Sequence, residues 1–181
     1  KLIAKHYNLF YLDTGKIYRY IGKLNLDNPK KFKHSLIKKK IKNLKIKYLK
    51  SNKLLTDDVA VSASIIAKDN RIRKIVYNFQ KKCAYSPPIK YSGSILDGRD
   101  ITSVIMKNAM FKFFITASVK IRAKRRFKEY KNLNKKITYN EVLKSLKTRD
   151  YSDKQRKYGP LLKTKDSILI NTTKLSKTTC F

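Results

Sequence analysis

The sequence has little of several residue types, and each shortage excludes a class of protein. No apolar run approaches the roughly 18 residues that a membrane-spanning helix needs. The longest candidates, residues 59–67 and 111–119, contain Ser, Thr or Lys. The only two cysteines, Cys83 and Cys180, lie far apart and form no metal-binding or redox motif. We therefore expect no membrane span, two reduced thiols and a cytoplasmic protein.

Acidic residues are scarce too. Twelve Asp and Glu accompany 45 Lys and Arg, which gives a formal net charge of +33. Such an excess is typical of proteins that bind DNA or RNA, so a basic nucleic-acid-binding module is an alternative function. The cations, however, are mostly lysines spread along the whole chain, and Lys, Ile, Asn and Tyr are abundant while Trp is absent. This bias indicates drift in an AT-rich genome. We therefore expect many of the lysines to face solvent without a specific binding role.

Arginine is the scarce cation, with nine residues among the 45 basic ones. Where most cations have become lysine, the remaining arginines mark positions at which an ammonium group cannot replace a planar, bidentate guanidinium. Phosphate-binding sites have this requirement. The nine residues are Arg19, Arg71, Arg73, Arg99, Arg122, Arg125, Arg126, Arg149 and Arg156.

The pattern of apolar residues predicts an α/β domain. With 181 residues, of which 41% are hydrophobic, one globular domain is expected. Strands are predicted at 9–12, 94–96, 111–116 and 167–171. Helices are predicted at 1–7, 16–23, 56–67, 71–84, 119–130 and 139–148, with a loop at 131–138. The alternation of strands and helices favours a parallel sheet, whose carboxyl-terminal strand ends usually carry the chemistry.

The Lys-rich residues 25–52 interrupt this alternation. They carry scattered Ile, Leu and Phe and predict a small, weakly ordered insert with a helix and one or two short strands.

Two polar clusters follow predicted strands. Asp13-Thr14-Gly15, with Arg19 nearby, places a hydroxyl and a guanidinium at a strand end, although a helix cap and a surface arginine would give the same pattern. Asp97-Gly98-Arg99-Asp100 gathers two carboxylates and an arginine after a buried strand, where they need partners. A structural ion pair is the alternative there.

Two further sets lie on predicted helices. Ser64 and Arg73 are nine residues apart on consecutive helices, and Ser64 alone would be a packed helix residue. Arg149 and Arg156 lie seven apart, with Asp153 between them, and share one face if the helix persists. A solvated charged helix is the alternative for this second set.

Taken together and in this order, these segments resemble the bacterial cytidylate kinase family over nearly the whole chain. Asp97–Asp100 is the most specific match. The matching segments are Tyr11–Gly15, Tyr18-Arg19, Thr56–Val59, Ala63-Ser64, Arg71–Arg73, Leu96–Ile101, Lys112–Ser118, Arg122-Ala123, Arg125-Arg126, Arg149-Asp150, Asp153, Arg156, Pro160-Leu161 and Ile168–Thr173.

The resemblance implies a P-loop nucleoside monophosphate kinase fold with three layers and a parallel sheet. Within the single domain 1–181 it implies a nucleotide-binding insert at 25–55 and a mobile lid at 126–160. The implied reaction phosphorylates CMP or dCMP with ATP and Mg²⁺, in a monomer with no specific nucleic-acid partner. A kinase for another nucleoside monophosphate is an alternative.

The resemblance also implies roles for individual residues. The acceptor phosphate would be held by Thr14, Arg19, Arg99 and Arg156, with Asp13 among the substrate-binding residues. Cytosine would be recognised by Ser64, Arg73 and Asp100, and the sugar by Arg149 and Asp153. The ATP phosphates would be approached by Arg125 and Arg126. The remaining carboxylate, Asp97, would arrange Mg²⁺ and its waters.

The sequence departs from the family pattern in two places. The family has a Gly-rich loop ending in Gly-Lys-Ser/Thr before the helix that residues 1–7 finish, whereas this sequence begins inside that helix. We expect the sequence to be a fragment of a longer reading frame, and a polypeptide limited to it to bind ATP poorly and be nearly inactive. Thr102–Asn108 also lacks the usual Gly-Thr start and Phe-Pro-Asp end.

Overall fold

Eight helices and four short strands build the fold in this computed structural model, which describes all 181 residues. The helices are α1 Leu2–His6, α2 Gly15–Asp27, α3 His34–Lys42, α4 Asp57–Ile66, α5 Asn70–Tyr85, α6 Val119–Asn132, α7 Tyr139–Gln155 and α8 Lys177–Cys180. The strands are β1 Leu9–Asp13, β2 Gly93–Asp97, β3 Phe113–Thr116 and β4 Ile168–Asn171. None of the helices combines the length and the apolar character that a membrane crossing requires.

The strands lie in two parallel pairs. β1 pairs with β2, and β3 pairs with β4. The predicted α/β class with parallel strands is therefore confirmed, although each sheet has two strands. In the first pair Asp13 and Asp97 are register partners at the carboxyl ends. The two polar clusters predicted at strand ends consequently lie side by side.

The largest apolar core joins β1 to helices α2–α5. Its 12 buried residues are Phe10, Leu12, Ile17, Ile21, Ile37, Ile41, Leu44, Leu49, Leu54, Ile66, Ile72 and Val76. Four of them, Ile37, Ile41, Leu44 and Leu49, come from the Lys-rich segment 25–52, so apolar side chains anchor this segment in the core. The expectation of a weakly ordered insert was wrong in this respect.

The Lys-rich segment also contains no strand. It forms α3 and three short 3₁₀ helices, Pro29–Lys31, Ile46–Lys50 and Asn52–Leu54. The alternation of lysine with apolar residues at 45–48 favours a strand, but Ile46–Lys50 forms a 3₁₀ helix that buries Leu49. The burial of Leu49 thus outweighs the strand preference that the alternating polar and apolar residues indicate.

Helix α7 is longer than its apolar pattern predicts. It begins with a capping box, in which the Thr138 hydroxyl accepts from the Glu141 N–H and the Glu141 carboxylate accepts from the Thr138 N–H. The prediction ended at residue 148, but the helix continues to Gln155. These additional residues, about two helical turns, carry Arg149 and Asp153 to the site described below.

Helices α2 and α4 approach closely at Gly22. A Cβ atom at this position would lie 2.9 Å from the Ala63 backbone nitrogen and 3.1 Å from the Val59 carbonyl oxygen. The buried Ser62 hydroxyl donates to the Gly22 carbonyl at 3.2 Å. Only glycine allows the two backbones to meet at this distance.

We predict that Gly22→Ala lowers the free energy of unfolding. Alanine in a helix interior is normally favoured over glycine by about 1 kcal/mol, but forcing a methyl group against backbone costs about 1–3 kcal/mol. A net loss of about 1–2 kcal/mol should appear in urea unfolding. Ser64→Ala, on the exposed face of α4, is the control and should change stability little. A midpoint for Gly22→Ala at or above that of the unmodified protein would contradict the close approach.

Candidate active site

The adjoining ends of β1 and β2 form the floor of the site. The Thr14 hydroxyl donates to the Asp97 carbonyl at 2.8 Å, and the Thr14 N–H donates to the same oxygen at 2.9 Å. A Cβ atom on Gly98 would overlap the Thr14 hydroxyl. Thr14 begins α2 without capping it through its side chain. Its hydroxyl instead joins the two polar clusters, which a simple helix cap would not do.

Two carboxylates meet on this floor. Burial raises the pKa of Asp13, and the neighbouring charge of Asp97 raises it further. The Tyr11 hydroxyl donates to the Asp97 carboxylate at 3.3 Å. Burial, followed by the charge of Asp97, raises the Tyr11 pKa well above its ordinary value. The floor is therefore electronegative, and a cation there would relieve the repulsion between the carboxylates.

Arg73 and Asp100 form a buried ion pair above this floor. Asp100 follows β2, Arg73 lies on α5, and the two side chains are only 9% and 10% exposed. Arg73 also donates to the Ala67 carbonyl at 3.3 Å. The Tyr18 ring lies 5.8 Å from its guanidinium carbon, and burial raises the Tyr18 pKa to about 12.

Asp153 on α7 gathers three arginines. Its Oδ2 lies 3.1 Å from Arg99 Nε and 3.7 Å from Arg149 Nε, while Oδ1 accepts from Arg156 Nη1 at 3.2 Å. Despite this proximity, Asp153 Oδ2 has no aligned hydrogen bond. Arg156 Nη2 is also buried without a partner. Buried polar atoms rarely lack partners, and these two mark the place where a ligand would supply them.

The arginines around Asp153 are electrostatically strained. Burial lowers the pKa of both the Arg149 and the Arg156 guanidinium groups, since a charge is costly to remove from water. The nearest like charges lower these pKa values further, Arg99 acting on Arg149 and Arg73 acting on Arg156. An anion bound between them would remove this strain.

Gly159 connects the ion pair to the Asp153 group. Its φ of +56° lies in the left-handed region, and a Cβ atom there would overlap both Arg73 and Asp100. Its carbonyl oxygen accepts from Arg156 Nε. Because Gly159 has no side chain, the Arg73–Asp100 pair can pack directly against it. Its backbone carbonyl binds Arg156 of the Asp153 group.

These contacts create one continuous group of charges, which we name the arginine cluster. Its members are Arg73, Arg99, Arg149, Arg156, Asp100 and Asp153. A cleft of about 430 Å³ opens beside the Arg73–Asp100 pair and is lined also by Tyr18, Tyr77 and Tyr158.

Arg19 and Arg126 flank the cluster. Arg19 on α2 donates to the Leu54 carbonyl at 2.8 Å, and its pKa is lowered by burial and then by the charge of Arg126. Arg19 and Arg126 also both contribute to lowering the Arg149 pKa. Arg126 Nη1 donates to Glu129 at 2.9 Å.

Ser64 and Arg125 are two predicted site residues for which the structure shows contact neither with the arginine cluster nor with the floor of the site. Ser64 is exposed on α4, so it is not the packed helix residue of the alternative interpretation either. Arg125 is held elsewhere. Its guanidinium donates to the Thr172 carbonyl at 2.6 Å, the Thr172 hydroxyl at 3.1 Å and the Leu175 carbonyl at 3.1 Å.

Three features of the site were not assigned by the sequence. Tyr18 precedes Arg19 in a recognised motif, and Gly159 is one of only five glycines, so both carried a usable signal. The third feature is the bidentate pair of Arg122 with Asp150, at 3.0 and 2.6 Å, which joins α6 to α7. No local pattern connects two residues 28 positions apart.

Comparison with known proteins gives a consistent result. A family model described as cytidylate kinase matches residues 1–180. The cytidylate kinase of Fusobacterium nucleatum is 38% identical over 188 residues, with 97% of this chain and 84% of that protein covered. The cytidylate kinase of Thermosipho melanesiensis is 37% identical, with 97% and 83% covered, and that of Clostridium tetani is 37% identical, with 96% and 79% covered.

The match therefore spans both strand pairs and every element that supplies the arginine cluster. The chain belongs to the cytidylate kinase family, the P-loop nucleoside monophosphate kinases that phosphorylate CMP and dCMP.

Proposed function

We propose that the arginine cluster is the acceptor site for CMP or dCMP in the ATP-dependent transfer of phosphate. The observation that supports this most is the unbalanced charge of the cluster. Four guanidinium groups face two carboxylates, and Arg156 Nη2 is buried without a partner. A phosphate monoester carries a charge of about −2 near neutral pH and three acceptor oxygens, so it would balance the cluster.

The phosphate would be held by guanidinium groups from different elements. Arg99 and Arg156 approach from β2 and α7, and Arg19 approaches from α2. Thr14 lies on the floor beneath them. Each arginine can donate two hydrogen bonds in one plane, which fixes the phosphate as well as neutralising it.

The base would be recognised by the Arg73–Asp100 pair. A carboxylate accepts from the exocyclic amino group of cytosine, and a guanidinium donates to its ring nitrogen and carbonyl oxygen. Uracil presents a carbonyl where cytosine has the amino group, so it would face a carboxylate with nothing to donate. Ser64 is kept in this proposal as a residue that would reach the base after a movement of α4.

The sugar would lie near Asp153 and Arg149. Asp153 Oδ2 lacks a hydrogen bond in the structure, and a ribose hydroxyl is the kind of donor it could accept from. Arg149 lies on the same carboxylate at 3.7 Å.

The donor phosphates would face Arg126, which is electrostatically coupled to Arg19 and Arg149. Arg125 fits this role less well, since its guanidinium is already used by three acceptors. The segments 25–55 and 126–160 stay as predictions for the insert and the lid. None of the proposed acceptor residues lies in the first segment, and three of them, Arg149, Asp153 and Arg156, lie in the second.

Magnesium fits the floor of the site. No group of three or more His, Cys, Asp or Glu side chains is placed to hold a metal ion, but Mg²⁺ usually takes one or two carboxylates together with waters and phosphate oxygens. Asp97, beside Asp13, would hold the ion through its waters. The ion would supply positive charge to the phosphates of ATP.

Phosphoryl transfer depends on positioning and charge neutralisation more than on covalent chemistry by the protein. The guanidinium groups would offset the repulsion between the acceptor and donor phosphates and hold the attacking oxygen in line. No nucleophilic side chain is needed.

We predict that Arg99→Lys lowers turnover of CMP by about 100-fold or more, because lysine keeps the charge but loses the planar pair of donors. Initial rates with ATP, Mg²⁺ and CMP measure this effect. The matched control is Arg71→Lys, which alters an exposed arginine outside the cluster. Equal turnover in Arg99→Lys and the unmodified enzyme would overturn the phosphate assignment.

We predict that Asp100→Asn lowers the preference for CMP over UMP by about tenfold or more, because the amide can donate to the uracil carbonyl. The ratio of kcat/KM for the two nucleotides measures the preference. Asp150→Asn removes a carboxylate paired with Arg122 and should leave the ratio unchanged. Because Asp100 is buried in an ion pair, circular dichroism must first show that the variant is folded. A folded variant with an unchanged ratio would contradict the base assignment.

A further inference from the structure

Residues 54–57, which lead into α4, are held from two sides, and we name them the 54–57 segment. From one side Arg19 Nη1 donates to the Leu54 carbonyl at 2.8 Å and reaches the Thr56 carbonyl at 3.4 Å. These bonds use one nitrogen of the Arg19 guanidinium. Its position therefore depends on where the 54–57 segment lies.

From the other side the segment is held by the end of α6 and the loop that follows. The Tyr130 hydroxyl donates to Asp57 Oδ1 at 3.1 Å, and Lys135 Nζ donates to Asp57 Oδ2 at 3.1 Å. Lys135 Nζ also lies 3.5 Å from the Leu55 carbonyl oxygen. The two oxygens of the Asp57 carboxylate thus bind two residues that each lie more than 70 positions further along the chain.

The same tyrosine supports a second arginine of the site. The Arg126 guanidinium carbon lies 4.5 Å from the centre of the Tyr130 ring, within cation–π distance, and Lys135 Nζ lies 4.9 Å from it. Asp57 therefore connects Arg19, through the backbone of the 54–57 segment, to Arg126, through the Tyr130 ring.

Asp57 also offsets a repulsion. The charge of Arg126 lowers the pKa of Arg19, and Asp57 is one of the acidic groups that favour the charged form of Arg19. The Asp57 side chain is 56% exposed and that of Lys135 is 26% exposed. An exposed ion pair contributes little to overall stability, so its value here lies in fixing geometry.

We propose that Asp57 is a positioning residue of the phosphate site. It would act through the 54–57 segment on Arg19, which would hold the acceptor phosphate, and through Tyr130 on Arg126, which would face the donor phosphates. The proposal rests on the proposed role of Arg19 in holding the acceptor phosphate. The two oxygens of the Asp57 carboxylate are already used by Tyr130 and Lys135, so in this proposal Asp57 acts through other residues and not on the substrate. It sets the place of two guanidinium groups that would contact the phosphates.

The chain offers a matched control in the next residue. Asp57 and Asp58 both lie in the first turn of α4, where a negative charge favours the helix dipole. Only Asp57 contacts Tyr130 and Lys135. Asp58 instead accepts a hydrogen bond from the Thr56 side chain at the start of the helix. A role confined to the helix start would therefore make Asp58→Asn at least as damaging as Asp57→Asn, whereas the positioning role belongs to Asp57 alone.

The test compares Asp57→Asn, Asp58→Asn and Tyr130→Phe in the complete enzyme. We expect Asp57→Asn to raise the KM for CMP about fivefold, in keeping with the loss of a partly exposed contact, with a smaller change in kcat. Asp58→Asn should leave the KM unchanged. Tyr130→Phe should raise the KM for CMP less than Asp57→Asn does. The double variant of Asp57→Asn with Tyr130→Phe should raise the KM by less than the product of the two single effects, because both substitutions remove the same hydrogen bond. Asp57→Asn should lower the urea midpoint no more than Asp58→Asn does.

Arg19→Lys separates this proposal from the one it rests on. If Arg19→Lys weakens CMP binding, measured by calorimetry, while Asp57→Asn and Asp58→Asn behave alike, the positioning role of Asp57 is overturned and the phosphate role of Arg19 stands. If Arg19→Lys leaves CMP binding unchanged, the phosphate role itself is overturned. A KM effect specific to Asp57, together with weakened binding in Arg19→Lys, supports both.

Discussion

The carboxylate of Asp153 is the constraint on which the site depends. Three arginines from different parts of the chain meet at it, and their mutual repulsion would separate them without this charge. One carboxylate cannot balance three guanidinium groups, so the arrangement is compact and yet incompletely neutralised. The protein thus holds its cations in place while keeping positive charge available for a phosphate.

The Arg73–Asp100 pair solves a different problem. Both side chains are buried, and each would be costly to leave unpaired in an empty pocket. Their mutual contact satisfies both groups. Under the proposed assignment, a base would have to replace part of this ion pair with its own hydrogen bonds. Such competition would reduce the net affinity for the base but preserve discrimination. A base whose donors and acceptors do not match Arg73 and Asp100 could not replace the hydrogen bonds that the ion pair loses.

Sequence patterns located most of this arrangement, and their failures have physical causes. Asp13 and Asp97 end two apolar strands that pair in parallel, so the two polar segments predicted at strand ends lie side by side. The strands expected at 25–52 do not form, because apolar side chains there are buried by helical turns. Gly159 was missed since its role depends on φ and on two distant side chains. The separation of Arg125 from the cluster depends on acceptors 47 and 50 residues away, beyond any local pattern.

The left-handed glycine at 159 has a consequence for inheritance. Every amino acid that a single-nucleotide change can introduce from a glycine codon carries a Cβ atom, and any Cβ atom there overlaps both Arg73 and Asp100. No one-step missense replacement at this codon avoids that collision.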